Sequence, residues 1–386
     1  MSLFLERNSY YKDFEIPFRQ RLTNFSWSYF LLIFLTACIG FVVLYSAAGG
    51  DASRWMMPQI YRFLLGCAAL FVVALIDLRF WMKYAYILYL LSLGLLVAVE
   101  ITGATNMGAQ RWLEFAGFRI QPSELMKITL VLALARYFHA SSDEDVEHLT
   151  HFIVPGILTI VTVALVYLQP DLGTSLMLAF VGIAIFFLMG ISWKKVIAAG
   201  VLGIAAIPVG WYFMHDYQKE RVLTFLNPER DPLGAGYHIL QSKITLGSGG
   251  LFGKGFLQGT QSHLNFIPEK HTDFIFTILS EEFGLIGSSF LIILYMLIIA
   301  YGFYFALKSF NCFGKILALG LTVNFSLYLF INTAMVMGLL PVVGVPLPLV
   351  SYGGSALVVL MAGFGFIECV HINEEMEIGR LGSSID

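Results

Sequence analysis

Residues 268–306 read PEKHTDFIFTILSEEFGLIGSSFLIILYMLIIAYGFYFA. A polar opening, Pro268-Glu269-Lys270-His271-Thr272-Asp273, gives way to apolar chain broken only by Glu281 and Glu282 before Lys308. An α-helix needs about 20 such residues to cross the hydrocarbon core of a bilayer. The run from 273 to 306 exceeds that length, so its helix tilts or projects beyond the membrane. A membrane β-barrel would instead show short strands alternating between polar and apolar residues. The stretch therefore predicts an all-α integral membrane protein.

The rest of the chain agrees. Of 386 residues, 58% are hydrophobic and 13% charged, with a mean hydropathy of +0.77. Soluble domains are nearer one quarter charged. Further apolar runs at 27–47, 57–76, 80–99, 123–138, 152–168, 173–190, 193–214, 314–338 and 350–371 bring the expectation to about ten transmembrane helices. The domain reading is an N-terminal segment 1–26, one polytopic membrane domain 27–371 without long internal repeats, and a short polar tail 372–386. No cleavable signal is expected, because the first apolar run is long enough to anchor.

Orientation follows Lys/Arg asymmetry in the short loops. With both termini cytoplasmic, twelve basic residues fall inside: Arg7, Lys12, Arg19, Arg21, Arg79, Lys83, Arg136, Lys194, Lys195, Lys308, Lys315 and Arg380. Only Arg54, Arg62, Arg111 and Arg119 occupy short outer loops. Cys38, Cys67, Cys312 and Cys369 lack metal-ligand spacing and read as packing residues or free thiols. The acidic run Ser141–Glu147 reads as a solvated connector. The net charge of −3 selects no partner class, and nothing in the residues suggests nucleic acid.

Two connections are long, both on the predicted outer face: 100–122 and a loop of 58 residues, 215–272, between helices seven and eight. Long ordered loops in compact proteins are usually functional. In the second, Tyr237, Leu240, Ile244 and Leu251 recur at helical spacing, suggesting an amphipathic helix on the membrane surface. The run Gly249-Gly250-Leu251-Phe252-Gly253-Lys254-Gly255 resembles a phosphate-binding loop only superficially, since Ser248 replaces its first glycine and no Ser/Thr follows the lysine. HExxH, CxxC and GxSxG are absent as well, which leaves ATP hydrolysis, zinc hydrolysis and serine hydrolysis poorly supported.

Three predicted helix starts carry acids toward the outer face. Gln121-Pro122-Ser123-Glu124 opens the fourth helix, Gln169-Pro170-Asp171 leads into the sixth, and Thr272-Asp273 opens the eighth, with Thr272 as its cap. The helix dipole favours an ionised Asp273, whereas its flank Phe274-Ile275-Phe276 disfavours it. A partly desolvated carboxylate suits a general base, and an ionisable group at a membrane edge is a functional candidate. Lys127, three residues after Glu124, can pair with it or meet an anionic headgroup. Arg111, Arg119, Lys243 and Lys254 are further basic candidates on that face. His271 is either a second proton carrier or a loop histidine. Glu281 and Glu282 are expected to face the bundle interior.

These motifs, in this order, resemble the SEDS family (shape, elongation, division and sporulation). The matching pieces are Arg111-Trp112 with Gln121–Lys127, Gln169–Thr174, Gly236-Tyr237-His238 through Lys243, Gly249–Gly255, Pro268-Glu269 to Asp273-Phe274, and Pro341–Pro348 ending in Ser351-Tyr352-Gly353-Gly354-Ser355. The resemblance covers essentially residues 20–372. The wording Val342-Val343-Gly344-Val345 is closer to the elongation branch than to the division branch.

The resemblance implies ten transmembrane helices and a peptidoglycan glycosyltransferase in the bacterial cytoplasmic (inner) membrane, serving cell elongation and rod shape. The implied substrate is lipid II, a disaccharide-pentapeptide on undecaprenyl diphosphate, polymerised on the outer face. The family's essential aspartate falls on Asp273 as catalytic base, with Glu124 and Lys127 in the substrate site. Gln121, Asp171, Lys243, Lys254 and His271 complete the candidate substrate-binding set. The implied partners are a class B penicillin-binding protein and an elongation complex. No organic cofactor is expected, and a divalent cation, Mg or Mn, stays open because spacing does not reveal an oxygen-ligated ion. Two rival classes remain: a flippase that transports lipid-linked precursors, and a non-catalytic scaffold for a partner synthase.

Overall fold

The computed structural model describes residues 17–379, apart from 103, 107–108, 116–117, 142–147, most of 191–215, 228–234 and 261–269. A short helix, α1 (Phe18–Thr23), precedes α2 (Trp27–Ala47), α3 (Met56–Leu75) and α4 (Leu78–Thr102). Three strands follow: β1 (Ala104–Asn106), β2 (Ala109–Phe115) and β3 (Phe118–Ile120). Then come α5 (Pro122–His139), α6 (Ile153–Leu168) and α7 (Leu172–Leu188). The second half holds α8 (Asp216–Leu226), α9 (Ala235–Ser248), α10 (Ile275–Lys308), α11 (Cys312–Val336) and α12 (Ser355–Ile372).

Seven of the described helices are long and apolar enough to cross a membrane, and α7 is a shorter apolar helix. The predicted spans other than 193–214 each coincide with a described helix to within a few residues; 193–214 and the acidic connector lie mostly outside the described residues. The centre of the bundle is α5. Of its 18 residues, 15 are buried, and it packs against α4, α6, α7, α11 and α12. A central helix needs no lipid-facing stripe, so α5 can carry Glu124, Lys127 and Arg136 where a peripheral span could not. Around it, α3 lies along α12 and α10 lies against α2 and α11.

The connection 100–122 departs from the all-helical expectation. It forms a small antiparallel meander in the order β1-β2-β3, with Thr105 opposite Gln110 and Glu114 opposite Arg119. Its strands are three to seven residues long, too short for a periodic signal to rise above an ordinary polar loop.

Helix α10 is broken. Gly284 has φ 65° and ψ −160°, a non-helical conformation inside an otherwise continuous helix. The freed backbone groups are taken by the glycine-rich run of the long loop. Lys254 N donates to Glu281 O (2.9 Å) and Gly255 N to Glu282 O (3.0 Å), while Leu285 N and Ile286 N donate to the carbonyls of Gly250 (2.9 Å) and Leu251 (3.2 Å). Such a break at membrane depth is tolerated only where other protein groups restore the lost bonds. Gly253 sits at φ 79°, and a Cβ there would overlap the Glu282 carbonyl. The run is thus a backbone strap for a broken helix, which explains its glycines without a phosphate.

Helix α9 forms where the sequence places an amphipathic helix. Its buried face is Gly236, Ile239, Ser242 and Thr245, packed on α10 and α11, with the Ser242 hydroxyl donating to Val336 O at 2.7 Å. The apolar positions Leu240, Ile244 and Leu251 are exposed. The helix is docked on the bundle through one face and presents the predicted apolar face outward. The four cysteines are free. Residues 373–379 fold back on the bundle: Lys308 Nζ meets Glu374 Oε1 at 2.6 Å, and Met376 and Ile378 are buried.

Candidate active site

Helix α5 begins at Pro122, so Glu124 and Lys127 stand in its first two turns on one face, at i and i+3. Tyr328, late in α11, meets them. Lys127 Nζ donates to Glu124 Oε1 (2.7 Å) and to the Tyr328 hydroxyl, which donates to Glu124 Oε2 (2.8 Å). The two charged side chains are only 4% and 10% exposed. Each partner satisfies the others in a site where a lone charge would be costly.

This triad lines one end of a cleft that encloses about 660 Å³ including its mouth. Most of the remaining lining is apolar, among it Ile128, Leu321, Phe325, Leu360 and Phe364, with one wall formed by Pro346-Leu347-Pro348-Leu349. Asn324 also faces the cleft, and its Oδ1 is buried without a hydrogen-bond partner. Leu349 has φ 65°, a costly conformation for a branched side chain. The Ser351 hydroxyl steadies that wall by accepting from Leu347 N at 2.7 Å and donating to Thr272 O at 2.5 Å.

The last bond leads to Asp273, which is not on the cleft lining. It lies in the turn that precedes α10, whose cap is Phe274 and whose first residue is Ile275. Thr272 therefore does not cap the helix, and no acid stands in its first turn. The turn is fixed from three sides instead. Tyr352 N donates to His271 O (2.8 Å), Ser351 to Thr272 O, and Asn332 Nδ2 to Asp273 O (2.9 Å). Asn332 also donates to Val345 O at 2.7 Å, and the Asp273 carboxylate lies against Gly344. Asp273 is half-buried and shares its supports with the cleft wall 345–351.

The other sequence candidates divide. Gln121 and Asp171 come together at 3.3 Å, and Asp171 caps α7 by accepting from Thr174 N. Arg111, held on β2, donates to the carbonyls of Gln169 (3.2 Å) and Pro170 and lies 3.9 Å from Asp171. Its role is to tie the meander to the start of α7. Arg119 pairs with Glu114 on the exposed hairpin, away from the cleft. Lys243 is exposed and packs its stem over Gly338. Lys254 pairs with the buried Glu281 at 2.7 Å, and Glu282 receives the Ser46 hydroxyl, so both acids do face the interior. His271 stacks on Trp55, centroids 4.4 Å apart and planes within 2°.

Sequence reasoning missed Tyr328 and Asn332, which come from mid-helix positions with no local motif. Among the described residues no three His, Cys, Asp or Glu side chains gather in a metal-binding group. A divalent ion at this site would therefore rest on one or two carboxylates and the substrate's own oxygens.

The chain matches known proteins over nearly its whole length. A family described as cell cycle protein (FtsW, RodA, SpoVE) matches residues 26–376. Peptidoglycan glycosyltransferase MrdB of Escherichia coli K12 is 47% identical over 349 residues, covering 90% of this chain and 94% of that protein. A probable peptidoglycan glycosyltransferase FtsW of Geobacter metallireducens is 35% identical over 355 residues, covering 88% and 93%. Among solved structures, a chain from a peptidoglycan synthase complex that coordinates polymerization and crosslinking superposes with TM-score 0.81 at 30% identity, covering 92% of this chain and 99% of that one. The rod shape determining protein RodA of Thermus thermophilus gives 0.70 at 28% identity, covering 92% and 98%.

Proposed function

The chain belongs to the FtsW, RodA and SpoVE family of cell cycle proteins, and we propose that it polymerises lipid II with Asp273 as general base. It is a multi-pass membrane protein and a peptidoglycan glycosyltransferase. Glycan polymerisation takes place at the end of the bundle that holds Glu124, Asp171 and Asp273, on the outer face of the bacterial inner membrane, with both termini cytoplasmic.

In the reaction an acceptor sugar hydroxyl attacks the anomeric carbon of the donor. A C–O bond forms, the bond from that carbon to the diphosphate oxygen breaks, and the diphosphate leaves with the electron pair. The hydroxyl proton passes to Asp273. Negative charge grows on the leaving oxygen, and a preorganised cation in a dry site stabilises it strongly. Lys127 has those properties: a buried ammonium oriented by Glu124 and Tyr328 at the polar end of an otherwise apolar cleft. The apolar wall suits a prenyl tail. A divalent cation, when bound, would add charge neutralisation at the diphosphate, and the residues above act without a step routed through it.

The observation that carries this reading is the shared scaffold. Ser351 and Asn332 bind the Asp273 turn and the cleft wall together, so base and cation are held in one frame. A class B penicillin-binding protein supplies crosslinking within an elongation complex. Purified protein in liposomes, given lipid II, is expected to form glycan polymer. Precursor movement across the bilayer with no polymer would favour the flippase reading instead.

A further inference from the structure

Arg62 is a charged group that neither the fold nor the mechanism above uses. It stands in the second turn of α3, its guanidinium 4.6 Å from the centroid of the Tyr352 ring. Its NH1 is buried without a hydrogen-bond partner, and no carboxylate among the described residues lies within ion-pair distance of it. A buried guanidinium N–H left unmet is costly. Stacking on a tyrosine does not remove that cost, because the ring face offers no lone pair to NH1.

The surroundings raise the cost further. Arg54 lies over Trp55 at 4.8 Å, Trp55 stacks on His271, and the His271 ring is 5.8 Å from Tyr352. Burial, and then the charge of Arg54, push the Lys270 ammonium below its usual range. Asp51 is exposed and engaged by the Ser53 amide and hydroxyl at 2.9 and 2.6 Å. The unmet N–H of Arg62 is satisfied when an anion arrives.

The place is also fixed. Gln59, three residues before Arg62, donates to Ser351 O (2.9 Å) and accepts from Gly353 N (3.2 Å), clamping α3 to the segment that holds the Asp273 turn. His271 is two residues from Asp273. The cationic group therefore borders the proposed base, while Lys127 sits in the cleft beyond the Ser351 wall.

We propose that Arg62, stacked on Tyr352 and backed by Arg54, Lys270 and His271, forms a second diphosphate subsite, separate from the one at Lys127. This choice of ligand rests on the polymerase reading, in which two lipid-linked chains meet and each carries a diphosphate. The planar fork of Arg62 suits two phosphate oxygens at once. Lys127, the more deeply buried cation, serves the diphosphate that leaves. Arg62 serves the one that stays attached to the acceptor, so its contribution is to binding rather than to bond breaking.

The test is native mass spectrometry of the full chain in nanodiscs with undecaprenyl diphosphate, undecaprenyl monophosphate and inorganic pyrophosphate as probes, with polymerisation assayed in the same preparation. Wild type is expected to hold two lipid diphosphates at saturation, and Arg62→Ala one. Arg62→Lys should keep two with weaker occupancy, and Arg62→Gln should behave as Arg62→Ala should the alanine protein fail to fold. In kinetics, Arg62→Ala should raise KM for lipid II about tenfold, the loss of one charged contact of about 1.4 kcal/mol, with kcat within about threefold. Two diphosphates on both Arg62→Ala and Arg62→Gln, or one on wild type, overturns the inference. Saturation of the site by inorganic pyrophosphate as readily as by the lipid overturns its assignment to a lipid-linked chain. Absence of polymer from wild type that binds two lipid diphosphates would instead sink the polymerase reading and leave the subsite standing.

Discussion

Replacing Lys127 by methionine removes one charge from a triad that is almost fully enclosed, and the structure predicts two separable losses. The first is stability. Without the ammonium, Glu124 keeps only the Tyr328 hydroxyl as a partner in a site where it is 10% exposed. Breaking a buried pair by removing one partner costs about 3–5 kcal/mol, the upper end applying if the acid stays ionised. For a chain of this size that corresponds to a fall in melting temperature of about 4–6 °C. The second loss is catalytic. A unit charge developing about 4 Å from an ammonium at an effective dielectric of about 20 is stabilised by about 4 kcal/mol, which is roughly a thousandfold in rate. Glu124 already claims part of that charge, so a fall in kcat of about two to three decades is expected. The double variant Lys127→Met/Glu124→Gln separates the two. With no orphaned acid, its melting temperature should return close to wild type, whereas its activity should stay two decades or more below. Thermal melts in detergent and lipid II polymerisation on the same samples report both quantities. Recovery of activity in the double variant would refute the electrostatic role of Lys127 and reduce the triad to a structural ion pair.

The strap over the Gly284 break gives a second prediction. Gly253→Ala must displace the loop, losing bonds of about 1 kcal/mol each and adding about 1 kcal/mol of left-handed strain. Limited proteolysis should then cut residues 249–260 faster, while Gly247→Ala, whose added methyl would meet nothing within 4 Å, should not change the pattern. Asn332→Ala releases the carbonyls of Asp273 and Val345 together and should lower kcat about tenfold or more with KM little changed, since a misplaced base costs rate more than binding. Equal effects on both parameters would mean that Asn332 supports the cleft generally rather than the base.

Much of this protein was legible from residue order because bilayer length is so strict a rule. The runs beginning at Trp27, Met56 and Cys312 announce their helices by composition alone, and the Pro122 opening places Glu124 and Lys127 on one face. What stayed hidden depends on contacts far apart in sequence. Tyr328 is 204 positions from the Glu124 carboxylate it serves, and nothing near it in the chain marks it. The Gly249–Gly255 run offered only a superficial likeness to a phosphate-binding loop, because its purpose is to complete a helix some thirty residues later. Arg62 read as one outer basic residue among several until its orphaned NH1 set it apart. The capping role expected of Thr272 failed for a local reason: with Phe274 in the cap position, the turn before α10 is held by Ser351, Tyr352 and Asn332 instead of by its own side chain.

Glycan polymerisation by Asp273→Ala, set beside wild type at matched folding and matched lipid II occupancy, tests the proposed base most directly. The expected result is a folded protein that binds substrate normally and makes no detectable polymer across the pH range. Polymer formed at a rate within tenfold of wild type would contradict the assignment of the base to Asp273.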